Sequence, residues 1–135
     1  MKTSDYVHEV NQLLERFLVY ETVFKEYAET CHKIEIGNCL ASENFAQLRD
    51  YYSRNVLRFN HFVTECQAIP VAPGLHEFHH AFLNALAQMQ QGVSTMLMAI
   101  DDQGINHKLF ARGQHQQAQA RAQLDTACAD LSQAM

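Results

Sequence analysis

The amino-acid sequence predicts an all-α fold, an antiparallel up-down-up-down four-helix bundle formed by one soluble domain over residues 1–135. Apolar residues recur at three- and four-residue spacing in four long segments, which is the period of an amphipathic helix. Glycine and proline are scarce, at 5 and 2 residues, which disfavours turn-rich β architecture. Apolar residues make up 47% of the chain, enough for one core. Short connections between long helices imply antiparallel neighbours.

A glycine break separates the first two predicted helices. The first is predicted over about residues 4–35, with an apolar stripe formed by Val7, Val10, Leu14, Phe17, Phe24, Ala28 and Cys31. Gly37-Asn38 interrupts this pattern. Ser42 is a natural N-cap, so the second helix is predicted over about residues 42–68. Its core face consists of Phe45, Leu48, Tyr52, Val56, Phe59, Val63 and Cys66.

The last two helices follow a loop with two prolines at residues 70–74. The third is predicted over about residues 75–101 and closed by Asp101-Asp102-Gln103-Gly104. The fourth is predicted over about residues 106–133, with a thin apolar stripe that includes Gly113 and Ala120. Such small residues either let this helix approach a neighbour closely or leave it dependent on a partner protein.

Charge and hydropathy limit the classes of partner. The formal net charge of −5 disfavours binding to nucleic acid, because phosphate backbones are repelled by an acidic surface. No apolar run approaches the ~18 residues of a membrane span. The first residues lack the apolar region of a signal peptide, so a cytoplasmic location is expected. The four cysteines, Cys31, Cys39, Cys66 and Cys128, form no CxxC pair and are predicted to be reduced, buried thiols.

One segment resembles a catalytic motif. His76-Glu77-Phe78-His79-His80 fits the pattern H-E-x-x-H and resembles the zinc-binding motif of the zincin family, which would make His76 and His80 ligands and Glu77 a general base. A catalytic zinc needs a third protein ligand, and no glutamate follows Glu77. At 100° per residue, His76, Glu77 and His80 lie roughly 115° to 155° from the apolar stripe. The phase therefore predicts an exposed pair, with His79 at the boundary of the core.

A second set of histidines resembles part of another pattern. The spacings of His61 with Glu65, of His76 with His80, and of Asp5 with His8 are similar to fragments of the hemerythrin pattern, whose ligands hold a di-iron centre inside a four-helix bundle. The resemblance implies metal ligands at one end of the bundle. No H-x-x-x-x-D follows in the last helix, and the phases of His8 and His61 point to solvent.

The leading hypothesis is a non-enzymatic helical-bundle protein that acts through contacts with a protein partner or with a second copy of itself. Nucleotide-binding and hydrolase motifs are absent, so no catalytic residue and no cofactor are assigned. Three apolar residues, Val19, Leu57 and Met98, fall on polar helix faces and would mark an interface if they cluster. The alternative is a zinc or di-iron site formed by His76, His80, His61 and Glu65. A third hypothesis is a small-ligand pocket among phenylalanine and methionine side chains.

Overall fold

Four helices account for nearly all of the chain that the structure describes. The structure is a computed structural model that describes residues 2–37 and 44–134. The helices are α1 (Thr3–Glu35), α2 (Phe45–Ala68), α3 (His76–Met98) and α4 (His107–Ala134). Two short strands, β1 (Ile100–Asp101) and β2 (Gly104–Ile105), form an antiparallel hairpin between α3 and α4. The all-α class predicted from the sequence is confirmed.

Two helix ends show how local hydrogen bonds set the boundaries. The side chain of Asn44 accepts a hydrogen bond from the backbone N–H of Gln47 at 2.8 Å and caps α2. The predicted cap, Ser42, lies outside the described residues. Helix α3 ends at Met98, before the predicted end at residue 101, because Ile100 pairs with Ile105 in the hairpin.

The hairpin itself is closed by one carboxylate. Asp101 Oδ1 accepts hydrogen bonds from the backbone N–H groups of Gln103 and Gly104, at 2.8 and 2.9 Å. An aspartate that bonds its own backbone two or three residues on favours a turn over a further helical turn. Ile100 is buried against Cys31 and Leu48, so the hairpin also closes one end of the core.

The order of side-chain contacts indicates that α1 and α2 are antiparallel neighbours. Arg16 contacts Glu65, Tyr20 contacts Phe59, and Tyr27 contacts Tyr52. Residue numbers therefore rise along α1 as they fall along α2. The Tyr20 and Phe59 rings pack edge to face with centroids 5.3 Å apart, and the Tyr27 and Tyr52 rings are tilted at 5.2 Å, within the range that aromatic pairs prefer.

Helices α3 and α4 approach each other most closely of all the helix pairs. A Cβ atom added to Gly113 would lie 2.8 Å from the backbone nitrogen of Met96 and 2.9 Å from the carbonyl oxygen of Gly92. A Cβ atom added to Gly92 would lie 2.9 Å from the backbone nitrogen of Gln117. Only glycine allows two backbones this close. The sequence left open whether α4 packs tightly or leans on a partner, and the structure shows that it packs tightly.

Substitution of the two glycines by alanine tests the close approach of α3 and α4. The sign of the change in the free energy of unfolding distinguishes this contact from an ordinary helix interior. In an ordinary helix interior, Gly→Ala stabilises by up to about 1 kcal/mol. Gly113→Ala and Gly92→Ala are instead expected to destabilise by about 1–3 kcal/mol, because the added methyl meets backbone atoms that cannot move alone. Urea denaturation measures the change. Gly104→Ala is the control, since its Cβ would meet nothing within 4 Å. Equal stability of all three variants would contradict the close approach.

Candidate functional site

The four predicted metal ligands are exposed side chains on two helices. His61 and Glu65 lie on α2, and His76 and His80 lie in the first turns of α3. Glu65 is already engaged, because its carboxylate accepts a hydrogen bond from Arg16 of α1 at 2.7 Å. This bond lowers the pKa of Glu65, with a smaller contribution from the charge of His61.

The structure does not assemble these residues into a centre with three ligands. Contacts between α1 and α3 bring the starts of these helices together, and the exposed His8 lies in the same region. Across residues 2–37 and 44–134, no group of three or more His, Cys, Asp or Glu side chains is arranged to hold a metal ion. The metal-binding hypothesis therefore gains no support from the described geometry.

His79 occupies the core rather than its boundary. Its side chain is 7% exposed, and its Nδ1 is hydrogen bonded to the Tyr6 hydroxyl at 2.8 Å. Phe82 packs beside the same imidazole. Burial lowers the pKa of His79, and the nearby charge of His76 adds to the effect. Burial also raises the pKa of Tyr6 to about 12, so this pair joins α1 to α3 as two neutral groups at pH 7.

The described cysteines are not activated nucleophiles. Cys31 and Cys66 are buried, as predicted, and Cys128 is half-buried; all three are free thiols. Burial raises the pKa of both Cys31 and Cys66 to about 12, so the reactive thiolate is scarce at neutral pH. Cys39 lies outside the described residues. These thiols act as small apolar side chains of the core.

A groove of about 810 Å³ lies between α1 and the end of α2. We call it the acidic groove, and it is lined by Glu9, Gln12, Leu13, Glu15, Arg16, Val19, Glu65, Ala68, Ile69 and Pro70. Leu13 is buried, whereas Val19 is 65% exposed. The groove therefore presents apolar surface next to charged side chains.

Charge is unevenly distributed around this groove. Arg16 is its one cationic side chain, and the guanidinium is held between Glu65 and the ring of Phe62, 5.0 Å from the ring centroid. Glu9 and Glu15 also line the groove, and neither forms an ion pair with any residue that the structure describes. Three carboxylates against one guanidinium leave a local charge of −2.

Other exposed apolar residues are more scattered. The structure exposes Leu57 by 61% and Met98 by 66%, as their helical phase predicts. These two residues lie on different helices, and neither lines the groove that contains Val19. Of the three residues flagged from the sequence, Val19 alone lies in a large concave surface.

Comparisons with known proteins add no further assignment. No protein family model, no curated protein and no solved structure matches this chain. Among the described helices, none has the length and apolar character needed to cross a membrane.

The buried imidazole predicts a pH dependence of stability. The pKa of His79 is lowered on folding, so the unfolded chain binds more protons than the folded one as pH falls below about 6.5. The free energy of unfolding should therefore fall on acidification from pH 7.5 to 5.5. His79→Gln should flatten this dependence, because it removes the titrating group.

Urea denaturation at several pH values measures the slope. His115→Gln serves as the matched control, since His115 is exposed on α4, and it should keep the slope of the parent protein. If His79→Gln and the parent protein lose stability equally between pH 7.5 and 5.5, His79 is not the cause of the pH dependence. An NMR titration of His79 should independently give a midpoint below the ordinary value of about 6.5.

Proposed function

We propose that this protein is a non-enzymatic interaction protein, located in the cytoplasm, whose acidic groove binds a basic amphipathic helix of a partner protein. The observation that carries the proposal is the combination of an exposed apolar side chain, Val19, with a local charge of −2 in one groove of about 810 Å³. Grooves of this type are a recurring way of binding helices, in which apolar anchors enter the groove and flanking charges set the orientation.

The shape of the groove supports a helical occupant. Two helices form its walls, and Ile69 and Pro70 of the following loop close one end. A partner helix would place apolar residues at i, i+3 and i+4 against Val19 and Ala68, both of which are exposed. Arg16 lies in the groove wall, where it contacts Glu65 and the ring of Phe62.

The charge of the groove supports a basic occupant. Glu9 and Glu15 are unpaired among the described residues and attract lysine or arginine on a partner. The same charge disfavours self-association through this surface. In a twofold dimer each groove residue would face the same patch of its copy, and like charges would oppose one another.

Charge reversal in the groove tests the proposal. The probe is an amphipathic helical peptide of leucine and lysine, and its binding is measured by fluorescence anisotropy. Glu9→Lys combined with Glu15→Lys should weaken binding roughly tenfold, because attraction becomes repulsion at two positions of the groove. Glu26→Lys combined with Glu29→Lys makes the same change of net charge on α1 outside the groove, and it should weaken binding far less.

A second variant separates apolar contact from charge. Val19→Ser leaves the net charge unchanged. Because Val19 is 65% exposed, this substitution should change the free energy of unfolding little. It should nevertheless weaken peptide binding, and amide chemical shifts should change along the groove. Equal losses in the two charge-reversal variants would show general attraction to an acidic protein and would overturn the assignment of the groove. Chemical shift changes confined to another surface would also overturn the assignment of the groove.

The metal-binding alternative has its own test. His76 and His80 are exposed and supply two ligands from one helix face, whereas a tight site needs more. Elemental analysis of the protein, purified without added metal, is expected to give substoichiometric zinc and iron. Stoichiometric metal that is lost in His76→Ala/His80→Ala would contradict the proposal above and favour a metal-binding function.

A further inference from the structure

A second concave surface lies between α1, α3 and α4, on the other side of α1 from the acidic groove. Its volume is about 350 Å³, and we call it the methionine pocket. It is lined by Glu21, Phe24, Lys25, Ala28, Met89, Met96, Gln114, Gln117, Ala118 and Arg121. We propose that this pocket binds a small amphipathic carboxylate, such as a medium-chain fatty acid.

The packing of α4 explains why the pocket exists. Gly113 and Gly92 hold α4 against α3 at the shortest distance that two backbones allow. The backbones of α1 and α4, in contrast, come close at few points. Because α4 cannot move toward α1 without leaving α3, the space between α1 and α4 stays open and is bridged by side chains. The pocket is thus a preformed feature of the fold.

The base of the pocket is apolar and adaptable. Phe24, Met89 and Met96 are each at most 2% exposed, so they are fixed in the core and present only small parts of their surface to the pocket. Methionine is flexible and polarisable, and it adjusts to ligands of irregular shape. Ala28 and Ala118 complete the walls with small side chains. This surface suits an alkyl chain or a single ring.

Two cationic side chains line the rim of the pocket, in a protein whose net charge is −5. Lys25 and Arg121 face one carboxylate, Glu21. Lys25 forms no ion pair with any described residue. A ligand carboxylate at this rim would therefore meet an unpaired ammonium group.

Arg121 retains hydrogen-bonding capacity for a ligand. Its guanidinium lies 3.6 Å from Glu21 Oε1 and 3.4 Å from Asp125 Oδ1. Both distances exceed the roughly 2.7–2.9 Å of a charge-assisted hydrogen bond. Neither carboxylate therefore saturates the five N–H donors of the guanidinium. Glu21 and Asp125 flank Arg121, and Gln114 adds a side-chain amide to the pocket lining, whereas the Gln117 amide is directed at Met96 Sδ at 3.8 Å.

Volume restricts the ligand to a small molecule. Ligand pockets typically measure about 300–1,000 Å³, so this one lies near the lower limit. The long chain of a membrane lipid would extend far beyond it. The methionine pocket and the acidic groove share no lining residue, so each can bind its ligand without the other.

Methyl NMR of the methionines gives a direct test with an internal control. Octanoate, below its micellar concentration, should shift the methyl signals of Met89 and Met96 in a saturable manner. Met98 is the last residue of α3. Its side chain is 66% exposed and does not line the pocket, so its methyl signal should move little. Equal movement of all three signals, or no saturation, would overturn the pocket as a binding site.

Two comparisons test the choice of a carboxylate. Octanol and octylamine have the same chain, and both should bind more weakly than octanoate. Lys25→Gln should weaken octanoate binding roughly two- to fivefold and leave octanol binding unchanged, as expected for one exposed charge pair. Lys33→Gln removes another α1 lysine outside the pocket and should have little effect. Tighter binding of octylamine would overturn the assignment of an anionic ligand.

A blocking variant tests the position of the alkyl chain. Ala118 is exposed and lines the pocket, so Ala118→Leu adds volume there without entering the core. This variant should lose binding of both octanoate and octanol while its urea denaturation curve stays close to that of the parent. Unchanged binding in Ala118→Leu would place the ligand elsewhere and contradict the proposal.

Discussion

The close approach of Gly92 and Gly113 is the constraint on which the arrangement of the last helix depends. Helix α4 has few large apolar residues, so it cannot be held by a broad hydrophobic face as α1 to α3 are. It gains stability instead from extensive contact at short distance, where many small dispersion contacts add up. Any side chain larger than hydrogen at either position would separate the two helices.

This constraint also affects the face of α4 that lies toward α1. A helix drawn tightly to α3 leaves a gap toward α1, and long side chains bridge that gap. Arg121 reaches from α4 to Glu21, and His107 reaches to Glu35 at 2.9 Å. Such pairs contribute modestly to stability, and the Arg121–Glu21 pair also borders the methionine pocket. The same packing thus accounts for both the close contact of α4 with α3 and the gap between α4 and α1.

Helix α1 contributes to both candidate binding surfaces with opposite charge. On one side, Glu9 and Glu15 make the groove beside α2 acidic, and on another side Lys25 makes the pocket beside α4 locally basic. Its buried residues hold the two surfaces in place: Tyr6 is hydrogen bonded to His79, and Phe17 and Phe24 pack in the core. One helix can serve two such surfaces because its side chains radiate in all directions about the axis.

Periodicity in the sequence was sufficient for the all-α class, the four helices and the exposure of His61, His76 and His80, since these depend on the phase of each helix alone. Periodicity did not predict the burial of Tyr6 and Phe62. Both are fully buried, although neither lies on the main apolar stripe of its helix. It also placed His79 at the boundary, whereas the Tyr6 hydroxyl allows this imidazole to lie in the core. What only the tertiary structure decided is the spacing between helices: the contact at Gly113, the acidic groove and the methionine pocket. Spacing depends on pairs of residues from different helices, such as Gly92 with Gly113, and no pattern within one helix contains that information.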